Sequence, residues 1–250
     1  LMQDSVRRTL EKVSTLERVR VAADAKDAKA NDIWHALVDL GVPGLLIDEA
    51  FGGMGLKLLD AALIAEALGR FVAPVPFIAS AVMAPVALAA LGSAKQKETW
   101  LPKLANGEAV AGVAISERSS GAREGGGVTA SGGKLTGKAL FVMDFASADF
   151  YIVGDKAGGL HIVYAKAKGL TKVALTSIDL TRSLGELQFD NVDADALTSG
   201  DAKAGLQHVL DAGRVMLAAD TLGAGWMMID KAVEYAKERK QFGRVIGSFQ

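Results

Sequence analysis

Few side chains of this 250-residue chain have the type and spacing that chemistry requires. His35, His161 and His208 are isolated, without the short spacings that bring two imidazoles to one zinc or iron ion. The chain contains no cysteine, which excludes disulfides, thiolate catalysis and cysteine-ligated metals. We therefore expect no metal site, and any redox chemistry requires a borrowed cofactor.

Two further features have the residue types of a binding site. The run from Arg123 to Val128 contains three consecutive glycines but lacks the Lys-Ser/Thr and the following helix of a P-loop, so it predicts a mobile hairpin. Asp220 interrupts an apolar helical pattern. It is either a buried functional carboxylate or, more commonly in such patterns, a polar contact to a neighbouring helix of a bundle.

The composition of the chain limits the classes of molecule that it can bind. Half of the residues are hydrophobic, 23% are charged and the formal net charge is −1, so no overall basic field exists to hold nucleic acid or an anionic membrane. The apolar stretch from Phe71 to Gly92 contains three prolines, which break a spanning helix and predict a buried helical segment preceded by a loop. The N-terminal segment mixes acidic with basic residues, unlike a transit peptide or a secretory leader, and predicts a mature, cytoplasmic protein.

The elements that must position a site fall into three segments. Helical spacing from Val6 to Glu108 predicts an all-α domain over 1–110, and short runs rich in Val, Ile and aromatic residues predict an antiparallel β domain over 111–198. From 199 to 250 the helical period returns, so the fold class is α+β. The predicted strands are Val110 to Ile115, Leu135 to Val142, Phe150 to Val153, Leu160 to Tyr164 and Gly185 to Phe189.

The last segment predicts one helix of about forty residues whose apolar positions lie broadly on one stripe, with Asp201 in its first turn. A helix of that length needs a packed partner, because most helical stability comes from burying an apolar face. We therefore expect the remainder of a helix bundle beyond Gln250, or else a partner chain. The apolar stripe comprises Leu206, Val209, Leu210, Met216, Leu217, Met227 and Val233.

Four sequence motifs, in order along the chain, resemble those of a known protein family. They are LGVPGLLIDEAFGGMGLKLLDAALIAEALGR (Leu40 to Arg70), GSAKQKETWLPKLANGEAVAGVAISER (Gly92 to Arg118), LTGKALFVMDFASADFYIV (Leu135 to Val153) and YAKERKQFGRVIGSFQ (Tyr235 to Gln250). Together they resemble the flavin-dependent acyl-CoA dehydrogenase family over the whole chain.

The resemblance implies an FAD held between the β domain and the C-terminal helices, with the acyl thioester stacked on the flavin ring. Carried over by position, Val113 to Ala122 line the flavin, and Ser116 replaces a threonine that bonds the pyrimidine end. Met143 replaces the threonine beside flavin N5 and cannot donate a hydroxyl hydrogen bond. The implied cofactor-binding residues are Ile115, Ser116, Gly121, Phe141, Val142, Met143, Arg239, Gln241, Phe242 and Gln250.

In the family, the residues matched by Arg239, Gln241 and Phe242 reach the adenosine pyrophosphate across a subunit interface. Guanidinium groups bind phosphate oxygens bidentately and an aromatic face packs on a ring, which suits that role. The alternative is that Arg239 lies on a solvated helix face with Glu234 and Glu238.

Dehydrogenation requires a carboxylate base, and the resemblance implies two locations for it. One lies beyond Gln250, and the other is occupied here by Gly213, which precedes Arg214. No base can therefore be named within the chain, and Arg214 has a supportive role at most. The loop from Ser116 to Arg123 has also lost the proline, the late serine and the aspartate of the family.

The implied function is FAD-dependent α,β-dehydrogenation of an acyl-CoA thioester, with electrons passed to an electron-transfer flavoprotein. The chain would act as a homo-oligomer or as a heteromer with a homologous subunit, without nucleic acid or membrane partners. Gly213, Met143 and the altered loop favour an alternative, a non-catalytic partner subunit of a heteromeric enzyme. A flavin monooxygenase on the same fold is a further alternative.

Overall fold

The computed structural model describes residues 2–25, 30–115 and 126–249. Six α-helices and one π-helix precede a sheet of eight strands, and a seventh, long α-helix follows it among the described residues. The helices are α1 Met2–Val13, α2 Leu16–Asp24, α3 Asn31–Val38, α4 Leu58–Arg70, the π-helix Phe77–Met83, α5 Ala84–Leu91, α6 Ala94–Ala105 and α7 Ala202–Glu238. Three short 3₁₀ helices span Val42–Gly44, Glu49–Phe51 and Ile246–Ser248.

The sheet runs in the order β6-β7-β3-β1-β4-β5-β8, and β2 pairs with β3 at one side. The predicted antiparallel sheet is confirmed except at one ladder, because β1 lies parallel to β4. The chain reaches β4 only after the β2–β3 hairpin, and this crossover permits the parallel pairing. The strands are β1 Ala111–Ala114, β2 Gly127–Ser131, β3 Lys134–Met143, β4 Phe150–Gly154, β5 Leu160–Tyr164, β6 Leu170–Ala174, β7 Leu184–Asp193 and β8 Asp195–Leu197, with a β9 Lys240–Gln241 and β10 Arg244–Val245 hairpin at the C-terminal end.

The predicted α+β fold class is thus confirmed, but the sequence patterns missed three strands of the eight-stranded sheet, as well as the β9–β10 hairpin. The three strands are β2, β6 and β8, whose residues are mostly exposed and lack the apolar alternation that marks a half-buried strand. The predicted mobile hairpin from Arg123 to Val128 is wrong at its end, since Gly127 and Val128 begin β2. Arg123, Glu124 and Gly125 lie outside the described residues.

Two apolar clusters lie on opposite faces of the sheet, as the two-residue period of a strand requires. In β4, Phe150 and Ile152 face the helices and join the larger cluster. Tyr151 and Val153 face the other way and join a smaller cluster inside the β segment. The sheet is therefore buried on both faces at its centre, which fixes β1 and β4 against the N-terminal helices.

The segment from Phe71 to Gly92 forms a loop, the π-helix and α5, as predicted, and the π-helix is buried throughout. Within the described residues no helix is both long enough and apolar enough to cross a membrane.

Helix α7 begins at the predicted place, where the Asp201 side chain accepts a hydrogen bond from the N–H of Ala204 at 3.0 Å. Its predicted single buried stripe is wrong from Leu217 onward. Leu206, Val209 and Met216 are buried, whereas Leu217 and Val233 are nearly half exposed. The helix is apolar on most of its circumference, and only its first half is surrounded by the rest of the chain.

Helices α4 and α7 cross backbone to backbone at two glycines. A Cβ built on Gly223 would overlap the carbonyl oxygen of Glu66, and one built on Gly69 would overlap the carbonyl oxygen of Asp220. Only hydrogen in place of a side chain permits this approach, so the two glycines set the distance between the helices. An ion pair of 2.6 Å between Arg70 and Asp230 lies about two to three turns further along α7, at the surface.

Replacement of Gly223 by alanine should lower the free energy of unfolding by about 1–3 kcal/mol, because the added methyl group forces α4 and α7 apart. Gly225 is the matched control, since a Cβ built there meets nothing within 4 Å. Gly225→Ala should leave stability unchanged or raise it by up to about 1 kcal/mol through helix propensity. Urea unfolding followed by circular dichroism measures both, and equal effects of the two substitutions would contradict the close crossing.

Candidate functional site

An open, mostly apolar cleft of about 130 Å³ lies where β1, β3, the end of the π-helix and α7 meet. It brings together residues that are far apart in sequence, including three of the predicted flavin-binding residues and the predicted base position. The lining residues are Met83, Val113, Ile115, Phe141, Met143, Leu210, Gly213, Arg214 and Leu217.

The end of β3 forms one wall of the cleft. The pairing of β3 with β7 shifts register between Ala139 and Val142, and Phe141 has a φ of +53° at this irregularity. A bulge of this kind re-aims side chains, and here it leaves Phe141 40% exposed on the cleft side. Met143 also faces the cleft, whereas the Val142 side chain is fully buried in the smaller cluster on the opposite face. The predicted contact of Val142 with a flavin therefore cannot involve its side chain.

The opposite wall is α7, where Gly213 lies against Met83. A Cβ built on Gly213 would lie 2.8 Å from Met83 Sδ and 2.9 Å from its Cε. The flexible thioether of Met83 thus occupies the space that a side chain at position 213 would need. No Asp or Glu is found among the described residues that line the cleft.

Arg214 lies at the rim of the cleft with its side chain 54% exposed. Its Nη1 donates to Asp211 Oδ1 at 3.0 Å, one turn earlier on α7. The guanidinium is held by a local surface ion pair, which is consistent with no more than a supportive role at the cleft.

A charged network that the sequence did not reveal lies behind Met143. The next residue, Asp144, is buried and has a φ of +52°, and its carboxyl group accepts a hydrogen bond from the N–H of Ala79 in the π-helix. Burial raises the pKa of Asp144 to about 7, against the opposing effects of Arg182 and of that N–H group. The only signal in the sequence was an acidic residue between Met143 and Phe145 in an apolar run.

Arg182 connects this network to α7. Its Nη2 donates to Asp220 Oδ1 at 2.7 Å, and burial raises the pKa of Asp220 although the guanidinium opposes the shift. The prediction that Asp220 contacts a neighbouring helix of the bundle is therefore wrong in its partner. The partner belongs to the turn before β7, because the β segment packs beside α7 at this point.

The predicted pyrophosphate-binding residues lie at the other end of α7. The helix ends at Glu238, so Arg239 is an extended capping residue and the alternative that places it on a helix face is wrong. Phe242 and Gly243 both have positive φ at the tip of the β9–β10 hairpin, as a two-residue turn of this kind requires. The Phe242 side chain is 94% exposed and meets Phe249 edge to face, with ring centroids 6.4 Å apart.

Helix geometry separates this hairpin from the cleft of the same chain. From Gly213 to Glu238 the axis of α7 rises by about 38 Å at about 1.5 Å per residue. Ser116, Gly121 and Gln250 lie outside the described residues, as does the rest of the loop from Ser116 to Arg123.

The three histidines lie in separate places. His161 Nε2 is 2.7 Å from Asp155 Oδ2 in a buried pair at the β4–β5 hairpin, and His208 lies on α7. Among residues 2–25, 30–115 and 126–249 no group of three or more His, Asp or Glu side chains is arranged to hold a metal ion.

Comparison with known proteins shows which family has this sequence and architecture. The pattern of the acyl-CoA dehydrogenase N-terminal domain matches residues 1–108, and that of the acyl-CoA dehydrogenase C-terminal domain matches residues 204–250. The chain belongs to the acyl-CoA dehydrogenase family. The resemblance stated from the four sequence motifs is thereby confirmed.

Individual relatives agree with this assignment. Acyl-CoA dehydrogenase FadE27 of Mycobacterium tuberculosis is 30% identical over 244 residues, which is 95% of this chain and 64% of FadE27. A variant of the Tcur3481-Tcur3483 steroid ACAD is 32% identical, with a TM-score of 0.86, over all of this chain and 69% of the other. The ChsE4-ChsE5 complex of M. tuberculosis contains a chain 27% identical, with a TM-score of 0.87, over all of this chain and 69% of that one. The chain thus spans about two thirds of the length of these relatives.

Replacement of Asp144 by asparagine should flatten the dependence of stability on pH. The raised pKa means that the folded protein binds the proton more tightly, so wild-type stability falls as pH rises between the ordinary value of 3.8 and about 7. The asparagine side chain cannot ionise but still accepts the hydrogen bond from Ala79. Melting temperatures measured across this pH window should therefore fall less steeply for D144N than for the wild type, since Asp220, whose pKa is also raised, remains in both.

Asp32 provides a control of opposite sign. The hydrogen bond from Arg18 lowers the pKa of Asp32, so the stability that it contributes is present at neutral pH and is lost on acidification. D32N should therefore lose stability at neutral pH and lose less at low pH. Parallel profiles for D144N and the wild type would contradict the assigned environment of Asp144.

Proposed function

We propose that this chain is part of an enzyme that carries out FAD-dependent α,β-dehydrogenation of an acyl-CoA thioester and passes electrons to an electron-transfer flavoprotein. The observation that supports this proposal best is the apolar cleft between the end of β3 and α7, in a chain of the acyl-CoA dehydrogenase family. We also propose that the segments 1–110, 111–198 and 199–250 are its domains. The cytoplasmic location stays a prediction.

The cleft residues fit one face of a flat, apolar ring system. Phe141 and Met143 of β3, together with Ile115 at the end of β1, provide apolar contacts on one side. On the opposite side, Gly213 of α7 has no side chain that would extend into the cleft. Bound FAD would supply a two-electron acceptor for hydride from the β carbon. In this proposal the protein orients the reactants and excludes water from between the two walls.

The α proton needs a base that the described lining does not provide. Gly213 has no side chain, and Met83 occupies the adjacent space. We propose that the carboxylate comes from residues beyond Gln250 or from a partner chain. Met143 also offers no hydroxyl donor toward the flavin, so backbone groups must provide any hydrogen bond that tunes its reactivity there.

A second subunit must provide the hairpin contacts if the carried-over roles hold. A flavin placed in the cleft cannot also reach Arg239 and Phe242 of the same chain, because α7 separates them by about 38 Å. The exposed aromatic ring and nearby guanidinium groups suit the adenosine pyrophosphate of a flavin held by another subunit. The partner is then either a second copy of this chain or a homologous subunit.

A non-catalytic partner subunit is the second candidate function. The same two features, Gly213 in the base position and Met143 beside the ring, favour it. In that case the chain would complete the site of an active homologue with its hairpin while its own cleft did no chemistry. The two-component names ChsE4-ChsE5 and Tcur3481-Tcur3483 among its structural relatives are consistent with a heteromeric assembly.

The visible absorption spectrum of the purified protein, recorded anaerobically before and after addition of acyl-CoA thioesters, tests the two candidates. Dehydrogenation predicts a flavin band that bleaches with a suitable thioester, because hydride transfer reduces the flavin. A flavin band that no thioester bleaches would favour the partner subunit. Protein that carries no flavin, alone or with a homologous subunit, would contradict both.

Mixing two differently tagged variants tests the shared site. Leu217→Trp fills the cleft, and Arg239→Gln with Phe242→Ser removes the hairpin contacts, so each variant alone should lose flavin. In a two-fold dimer of the two variants, one site combines both defects and the other is intact, so about half of the flavin should return. No recovery would assign the hairpin to a homologous subunit instead of a second copy.

A further inference from the structure

Asp144 and the ion pair of Arg182 with Asp220 lie where three separate parts of the fold meet. Asp144 directly follows cleft residue Met143 on β3, and its carboxyl group caps the buried π-helix through Ala79. The residue before that helix, Pro76, makes no side-chain cap, so Asp144 provides it. The last residue of the same π-helix, Met83, covers Gly213 in the cleft.

Asp220 connects the α7 wall of the cleft to Arg182 in the turn before β7. It lies two turns after Gly213 on α7, which is about 10 Å along the axis. Its backbone carbonyl contacts Gly69 where α4 crosses, so the helix cannot slide at this residue. Its side chain reaches Arg182, at 2.7 Å, across the gap between α7 and the turn before β7.

Arg182 therefore pairs with the partly buried carboxylate of Asp220 on the α7 wall. It also lies two residues before Leu184 of β7, which pairs with Met143 on the β3 wall. Asp179, in the same turn as Arg182, is a weaker partner at 3.7 Å and is half exposed. Removing one member of a buried pair leaves an uncompensated charge, whereas an exposed pair contributes little. The separation of the walls thus depends on Arg182 more than on any surface ion pair.

We propose that Arg182 is a positioning residue, which fixes the spacing between the β3 wall and the α7 wall of the cleft. It does so by holding the turn before β7, whose first residue Leu184 pairs with Met143, against Asp220 of α7. Arg182 is not among the residues that line the cleft, so it acts through the residues on either side. That FAD is the bound ligand rests on the proposed function. The control of the wall spacing by Arg182 does not depend on that proposal.

Three variants of the full chain distinguish an effect on the spacing of the cleft walls from an effect on the stability of the fold. Where the protein requires a partner subunit, the variants are studied in that complex. R182M removes the charge, and R182M/D220N also removes the carboxylate that R182M leaves unpaired. R182K keeps the charge and the contact to Asp220. The matched control is Arg18→Met, which breaks an ion pair of 2.6 Å between helices far from the cleft.

Because the chain has no native cysteine, spin labels can be placed on Thr136→Cys in β3 and Met228→Cys in α7. Distances between the labels are measured by pulsed electron paramagnetic resonance, and FAD affinity by absorbance titration. R182M should broaden the distance distribution and raise the Kd for FAD about tenfold, equal to about 1.4 kcal/mol. R182K and the Arg18→Met control should match the wild type in both measurements.

The double variant decides the role. R182M/D220N should recover melting temperature, since the carboxylate that R182M leaves unpaired at position 220 is also removed, while the broad distances and weak FAD binding persist. If distances and affinity recover together with stability, or if R182M leaves them unchanged, the positioning role is wrong. Wild-type protein that binds no FAD would overturn the proposed function, and the distance measurement would still decide the positioning role.

Discussion

The close crossing of α4 and α7 is the constraint on which the rest of the structure depends. Gly69 and Gly223 bring the two backbones into contact, and this fixes α7 against α4 near the middle of α7. Every residue that α7 presents to the cleft takes its place from that contact, and so does the hairpin at its far end. A rigid helix transmits the position set at one crossing over its whole length.

The cleft lies between two opposing walls, and the residues that line these walls differ in polarity from the residues packed behind them. Its surface is mostly apolar, whereas Arg182 and Asp220, which we propose hold the walls, form an ion pair and are not among the lining residues. An apolar surface suits a flat ring, but non-directional contacts alone do not fix the spacing between two walls. In our proposal the directional hydrogen bond from Arg182 to Asp220 provides that spacing.

The second half of α7 has the opposite character to the first. Leu222, Trp226, Ile229 and Val233 recur at three and four residues and stay about half exposed, although they form one continuous stripe. A helix that is apolar on most of its circumference is stable only when it is covered. The separation of cleft and hairpin along this helix is the geometric reason why one chain cannot combine both in one site.

The sequence by itself determined the order of helical, strand and helical segments, the family, and the length of α7 to within a few residues, because these follow from local periodicity and from motifs. It placed Phe141, Met143 and Gly213 in one site only through the resemblance. Tertiary structure decided that Val142 faces away, since a bulge changed the alternation that a regular strand would give. It also decided that Asp220 pairs with Arg182 and that Asp144 caps a helix from another segment, because contacts between residues 38 or more positions apart leave no periodic trace in the sequence.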